Sequence, residues 1–296
     1  MKLLAPKYYN DFCCIADRCR HSCCIGWEID IDKEAQEKYK NITHSYGEKI
    51  RESICREETP HFALGENDRC PHLDERGLCR IITNLGEDFL CHICREHPRF
   101  YNETPRGLEA GLGISCEEAC RIVLSSDSYR ELSVIGETEG NPPKDFDSLP
   151  LREKIYDIIS DRTVPYPERL ERIYEGFEAC PSSLSDEDWR ELLESLEYLD
   201  ESPRELFSCY SSDINTPAPY WESLERALAY FIYRHTGESI DENDFRMSLG
   251  FALFCERLLA SMAKSDTDIF EAARIISEEL EYSEENTEAI KFEFWF

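Results

Sequence analysis

Phe12-Cys13-Cys14-Ile15-Ala16-Asp17-Arg18-Cys19-Arg20-His21-Ser22-Cys23-Cys24-Ile25-Gly26-Trp27 puts five cysteines into sixteen residues, and 12 of the chain's 15 cysteines lie before residue 121. Eight of them form a spaced set: Cys14, Cys19, Cys23, Cys24, Cys70, Cys79, Cys94 and Cys116. Thiols drawn from distant points of a short segment have few uses beyond holding a metal or making disulfides. A chain of 296 residues can bury a full core, so it does not need staples to fold. The apolar run at Leu3-Leu4-Ala5 is too short for a signal-peptide core, and no stretch approaches a membrane span. A cytoplasmic protein is therefore expected, where clustered cysteines are metal ligands or redox groups rather than structural disulfides. The odd total of 15 rules out complete pairing.

The spacing supplies further expectations. Cys19 and Cys23 are four apart, so on a helical turn their sulfurs would share one face. Cys23 and Cys24 are adjacent, which requires irregular backbone or two different sites. Cys70-Pro71-His72-Leu73 and Leu78-Cys79-Arg80-Ile81 flank a turn at Asp74-Glu75-Arg76-Gly77, like a knuckle presenting two sulfurs. Cys91 and Cys94 form Cys-x-x-Cys, a spacing that suits zinc, iron or a thiol–disulfide couple. The βαβ context of a redox motif is missing around it. Ser115-Cys116-Glu117-Glu118 reads as a capping box that sets Cys116 in a first helical turn, where the helix dipole favours a thiolate. Cys120 follows one turn later and suits either a ligand or helix-core burial. Thiolate ligation serves zinc and iron–sulfur clusters alike, in one centre or two. His21, His72, His92 and His97 lie near cysteines and are expected to support ligands by hydrogen bonds. Cys55, Cys180, Cys209 and Cys255 stand apart and read as small buried hydrophobes.

Charge is uneven. The net charge is -29, and residues 121–296 carry 17 Lys+Arg against 40 Asp+Glu. Such a surface repels phosphate backbones and anionic lipid, which argues against nucleic acid and membrane as partners. It is either a set of solvated helix faces or an attractor for a basic protein.

Ile25, Trp27, Ile29 and Ile31 alternate with polar residues and predict a strand, followed by a helix capped by Asp32 and running to about His44. Leu108, Ala110, Leu112 and Ile114 alternate after a turn at residues 102–107, which predicts a hairpin with Arg99-Phe100-Tyr101. Gly136 to Pro150, with Gly140-Asn141-Pro142-Pro143 at its centre, reads as a linker. Beyond it the periodicity predicts helices over residues 151–162, 166–179, 185–199, 220–235, 241–264 and 268–282, with Ser185 as an N-cap. The fold class is mainly α with a small α+β cysteine-rich metal-binding N-terminal module: residues 1–135 form the module and 150–296 an acidic all-helical domain.

Pro6-x-Tyr8, Phe12-Cys13-Cys14-Ile15, Cys19 to Cys24 and Gly26-Trp27-x-Ile29-x-Ile31-Asp32 follow one another in an order that resembles the flagellin lysine N-methylase family. Cys70-Pro71-His72-Leu73, Leu78-Cys79-x-Ile81, Leu85-Gly86, Cys94-x-x-x-Pro98-Arg99 and Ser115-Cys116-x-x-Ala119 continue it, and Tyr230 to Arg234 and Ser283-Glu284-Glu285-Asn286 extend it thinly. The cysteine spacing is also similar to a broader bacterial cysteine-cluster family described as zinc- or iron-chelating. The resemblance implies methyl transfer from S-adenosylmethionine to flagellin lysines by a protein holding an iron–sulfur (4Fe-4S) cluster; zinc is the other metal the thiols suit. Gly111-Leu112-Gly113 is too little for a cofactor loop, and the strand–helix alternation of a nucleotide-binding fold is missing. The residues leave open a second reading, a non-catalytic zinc- or iron-chelating protein whose metal is structural, and a third, an iron or redox sensor.

Overall fold

Leu4 and Ala5 are buried because the strand that carries them, β1 (Lys2–Pro6), runs through the middle of a sheet. The computed structural model describes residues 1–56, 59–143, 146–177, 184–199, 201–265 and 267–295. The chain divides into two units: residues 1–12 with 100–296, and residues 13–99 between them. The division therefore falls at Phe12 and Arg99, not at Gly136–Pro150, and residues 100–135 group with the helices. The reason is that β1 and the hairpin residues belong to the same sheet.

The cysteine-rich unit has little regular structure. It holds α1 (Lys33–Asn41), α2 (Tyr46–Glu52), the ribbon β2 (Ile54–Cys55) with β3 (His61–Phe62), α3 (Arg80–Leu85) and α4 (His92–Glu96). Asp32 caps α1 by accepting from the Ala35 N–H, as its sequence predicts. Arg51 closes the other end by donating to the Tyr39 and Ile42 carbonyls. The predicted strand at residues 25–31 is reduced to isolated bridges, Ile25 to Arg69 and Asp30 to His61. Its apolar pattern is nevertheless used, since Ile29 and Ile31 are buried with Tyr39, Ile50, Phe62 and Ile81 in a small core.

In the larger unit the sheet order is β4 (Arg99–Thr104), β5 (Gly107–Leu112), β1, β6 (Leu132–Glu137). β1 runs parallel to β5 and antiparallel to β6. The predicted hairpin is thus present, and two glycines fit it to its neighbours. At Gly107, φ is +144° and a Cβ would stand 2.4 Å from the Lys2 carbonyl oxygen; at Gly111 it would strike the Phe100 ring. After α5 (Glu117–Ser125) and β6 come α6 (Leu149–Ile159), α7 (Tyr166–Gly176), α8 (Asp186–Ser195), α9 (Ser202–Phe207), α10 (Trp221–His235), α11 (Glu242–Lys264), α12 (Ile269–Ile276) and α13 (Glu284–Phe292). α11 is buried along nearly all of its length and packs on α10, α12 and α13. The predicted helix over 268–282 is α12 followed by a π-helical stretch, Ser277–Glu281. Among the described residues no helix is long and apolar enough to cross a membrane.

Candidate metal centre

None of the fourteen described cysteines is in a disulfide; Cys180 lies outside the described residues. Of the eight expected ligands, Cys24, Cys70, Cys79 and Cys94 lie in or against the small core of the cysteine-rich unit, as does Cys91. Cys70 and Cys91 are part of its buried core, with Cys24, Cys79 and Cys94 packed against that core. Local structure explains the arrangement. The knuckle forms as predicted: Leu73 bridges to Cys79, and Asp74 accepts from the N–H groups of Arg76 and Leu78. Gly77 takes φ +80° at the turn. Cys79 is the N-cap of α3 and Cys91 the N-cap of α4. One helical turn on, the Cys94 Sγ lies 3.3 Å from that of Cys91. Cys24 is drawn in by the backbone, because its carbonyl accepts from the Cys70 N–H at 2.8 Å.

The electrostatics report a shared neighbourhood. A hydrogen bond from Cys23 is the main cause that lowers the Cys24 thiol to about 7. The Cys91–Cys94 hydrogen bond lowers Cys91 and, with burial, raises Cys94. Burial pushes Cys70 up to about 12 and raises Cys79, opposed by backbone N–H groups of His72 for the first and of Ile82 and Ile81 for the second. Cys24 and Cys91 further disfavour ionisation of both. At Cys70, Cys79 and Cys94 neighbouring thiols disfavour ionisation, a penalty that a bound cation would offset. N–H groups directed at sulfur also suit an iron–sulfur cluster. The donor set therefore fits a thiolate-bound metal. Among the described residues no three His, Cys, Asp or Glu side chains stand as a ready cage.

The other four expected ligands are not part of that core, although Cys23 hydrogen-bonds the Cys24 side chain. Cys14 and Cys23 are exposed and Cys19 is half-buried. The expected helical turn over Cys19 and Cys23 does not form: a short 3-10 turn covers Ala16–Arg18, and Cys19 is extended. Arg20 to Cys23 lead into the turn that places Cys24. Cys116 belongs to the helical unit, where it rather than Ser115 is the N-cap of α5. The expected capping box is absent, since no side-chain cap bond forms at the start of α5, and Glu118 accepts from Arg121. Cys120 is buried and donates to the Phe270 carbonyl, and Cys255 is fully buried. Cys55 and Cys209 are half-buried. His72 is buried with Nδ1 on the Tyr46 hydroxyl and Nε2 on Ser53, both at 2.9 Å. With both ring nitrogens engaged it braces the loop that carries Cys70. Cys91, outside the eight expected ligands, is a core residue, and its Cys-x-x-Cys spacing with Cys94 is the sequence signal for it.

The helical unit holds a second set of buried polar groups. Glu281, at the end of the π-helical stretch, receives His235 Nε2 at 2.7 Å and the Tyr230 hydroxyl at 3.0 Å, with Arg234 Nε at 3.4 Å. Burial opposes its ionisation, but Arg234 and His235 outweigh it and keep the carboxyl below its ordinary range. Tyr230 also receives the Ile114 N–H. The two thin outlying stretches of the resemblance, Tyr230–Arg234 and Ser283–Asn286, thus lie beside one node.

These features define a class: a thiol-rich unit inserted along the chain into an acidic helical unit. The lysine-N-methylase of Salmonella typhimurium is 28% identical over 167 residues, 52% of this chain and 40% of that protein. The lysine-N-methylase of Salmonella choleraesuis is 27% identical over the same shares. The flagellar biosynthetic protein FliU of Salmonella muenchen is 29% identical over 130 residues, 40% of this chain and 75% of that protein. Over about half of its length the chain is similar to the flagellin lysine methylase family, and it spans 40% of the length of the lysine-N-methylases. No family model matches, and no solved structure matches.

Proposed function

We propose that the chain takes part in methylation of lysine side chains on a flagellar protein, with flagellin as substrate and S-adenosylmethionine as methyl donor. The likeness to proteins named lysine-N-methylase and FliU carries this reading. In such a transfer the amine nitrogen forms a bond to the methyl carbon as the sulfur–carbon bond breaks, and the ammonium must first lose a proton. The acidic helical surface would draw a lysine in, while apolar surroundings would make its neutral form accessible.

Cys24, Cys70, Cys79, Cys91 and Cys94 are the residues that would hold a metal, as an iron–sulfur (4Fe-4S) cluster or zinc. When bound, it would supply an anchoring positive centre and free energy of folding. Lysine methylation by a sulfonium donor needs no radical, so the thiols' first duty in this reading is to hold the module in shape. That observation also favours a second reading, a metal-binding protein without catalysis: Cys70 and Cys91 are core residues of a unit with short helices.

The test is transfer of labelled methyl groups from S-adenosylmethionine to flagellin by anaerobically purified protein, with iron, sulfide and zinc measured on the same sample. Label on lysine supports the reading. Unlabelled flagellin with metal-replete protein favours the second.

A further inference from the structure

Tyr39 and Tyr46 are both buried in the cysteine-rich unit, but their hydroxyls are provided for differently. That of Tyr46 meets His72 Nδ1 at 2.9 Å. That of Tyr39 has no hydrogen-bond partner among the described residues, although the residue is only 1% exposed. A buried hydroxyl ordinarily has a partner, because the water it gives up on folding is otherwise uncompensated.

The backbone holds Tyr39 firmly in this position. The Asp32 carboxylate accepts from the His92 N–H at 2.6 Å, and the Lys38 ammonium donates to the Asp88 carbonyl at 3.1 Å. α1 is thus tied at two points to the segment that carries Cys91. Beside the second tie, the Tyr39 ring packs on Phe62 with centroids 6.1 Å apart, and its carbonyl accepts from Arg51 at 2.9 Å.

Burial raises the Tyr39 phenol, and Cys91, Cys94, Asp32 and Cys79 raise it further. The electrostatic neighbours of the hydroxyl are therefore three of the five candidate ligands and one carboxylate. That carboxylate is engaged by the Ala35 and His92 N–H groups, and Cys91 donates to Cys94. A neutral thiol is a weak acceptor. A thiolate or sulfide held by a metal is an anionic and much better one, so metal loading changes the acceptors around this hydroxyl from poor to good.

We propose that Tyr39 is a positioning residue of the metal centre, whose hydroxyl donates a hydrogen bond to a sulfur of the centre once metal is bound. The proposal rests on the metal-binding reading of the five thiols and adds to it a residue that holds no metal itself. The bond draws charge from the sulfur and couples α1 to metal occupancy.

The test is Tyr39→Phe in the intact chain, prepared reduced and metal-free. The chain is titrated anaerobically with cobalt(II) against a chromophoric chelator, and separately reconstituted with iron and sulfide. Removing a hydroxyl that has no partner costs the metal-free fold nothing, so its urea midpoint should stay the same or rise. Metal affinity should fall about tenfold. The thiolate-to-cobalt charge-transfer band should move to lower energy, or the reduction potential of the iron–sulfur form to more negative values, because the sulfur recovers charge. A variant that matches the parent in affinity, band and potential overturns the proposal. So does one whose metal-free midpoint falls together with its affinity, which marks a packing role. In both of these cases the parent still binds metal and the metal reading stands, whereas a parent chain that takes up neither cobalt nor an iron–sulfur centre sinks that reading and this proposal together.

Discussion

Cys70 and Cys209 show how the same side chain takes different parts. Cys70 lies in a core that four other thiols share or pack against, so on the metal-binding reading its removal would take away a ligand, whereas Cys209 hydrogen-bonds Ser265. Cys70→Ser and Cys91→Ser are expected to lose most of the bound metal of anaerobically purified protein, measured by iron, sulfide and zinc content, while Cys209→Ser keeps it. Cys116→Ser tests the one expected ligand that lies in the other unit, and retention of metal there would confine the centre to residues 13–99. Buried charge sets a second residue-scale expectation. Glu225 receives Arg162 at 3.0 Å, Arg169 at 2.7 Å and the Tyr129 hydroxyl at 3.0 Å, and Arg169 is only 2% exposed. Glu225→Leu leaves that guanidinium buried without its carboxylate and is expected to cost about 3–5 kcal/mol in urea unfolding.

At the scale of elements, the helices begin where short polar side chains can serve them. Ser185 forms a capping box with Asp188 at the start of α8, each side chain bonding the other's backbone N–H. Ser185→Ala is expected to lower stability by about 1 kcal/mol, which in a unit of this size lowers Tm by roughly 2–4 °C, read by calorimetry. The junction of α10 with the π-helical stretch sets a pH dependence. Burial holds the His235 imidazole below its ordinary range, so the folded chain keeps it neutral at pH values where the unfolded chain protonates it. Stability from this residue is present above the ordinary histidine range and is lost as pH falls through it. Glu281, held ionised, adds a loss at still lower pH, as acid reaches the ordinary carboxylate range. The urea midpoint should fall between pH 7 and pH 5, and His235→Gln should flatten that fall.

For the whole molecule, the insertion of one unit within another decides which residues act together. β1 is the first strand of the chain, yet its partners begin at Gly107 and Leu132. Local periodicity carried the helices well: Asp241 caps α11, and α10 ends at His235 as expected. It missed α9 and α13, because six residues of Ser202–Phe207 are too few for a period to emerge, and residues 284–292 follow a turn that sequence merged with polar surface. It also missed β1 and β6, whose strand character comes from pairing across more than one hundred residues.

By itself the sequence determined the composition of the site and the helical character of most of the chain. Thiol chemistry and the 3.6-residue period are properties of neighbours along the backbone, readable without a fold. Tertiary structure alone decided which sulfurs share a neighbourhood, that Cys91 joins Cys24, Cys70, Cys79 and Cys94, and that Cys116 belongs with the helices. The physical reason is that convergence depends on long-range hydrogen bonds, such as Cys70 N–H to the Cys24 carbonyl and β1 to β5. Spacing along a chain does not encode those distances in space.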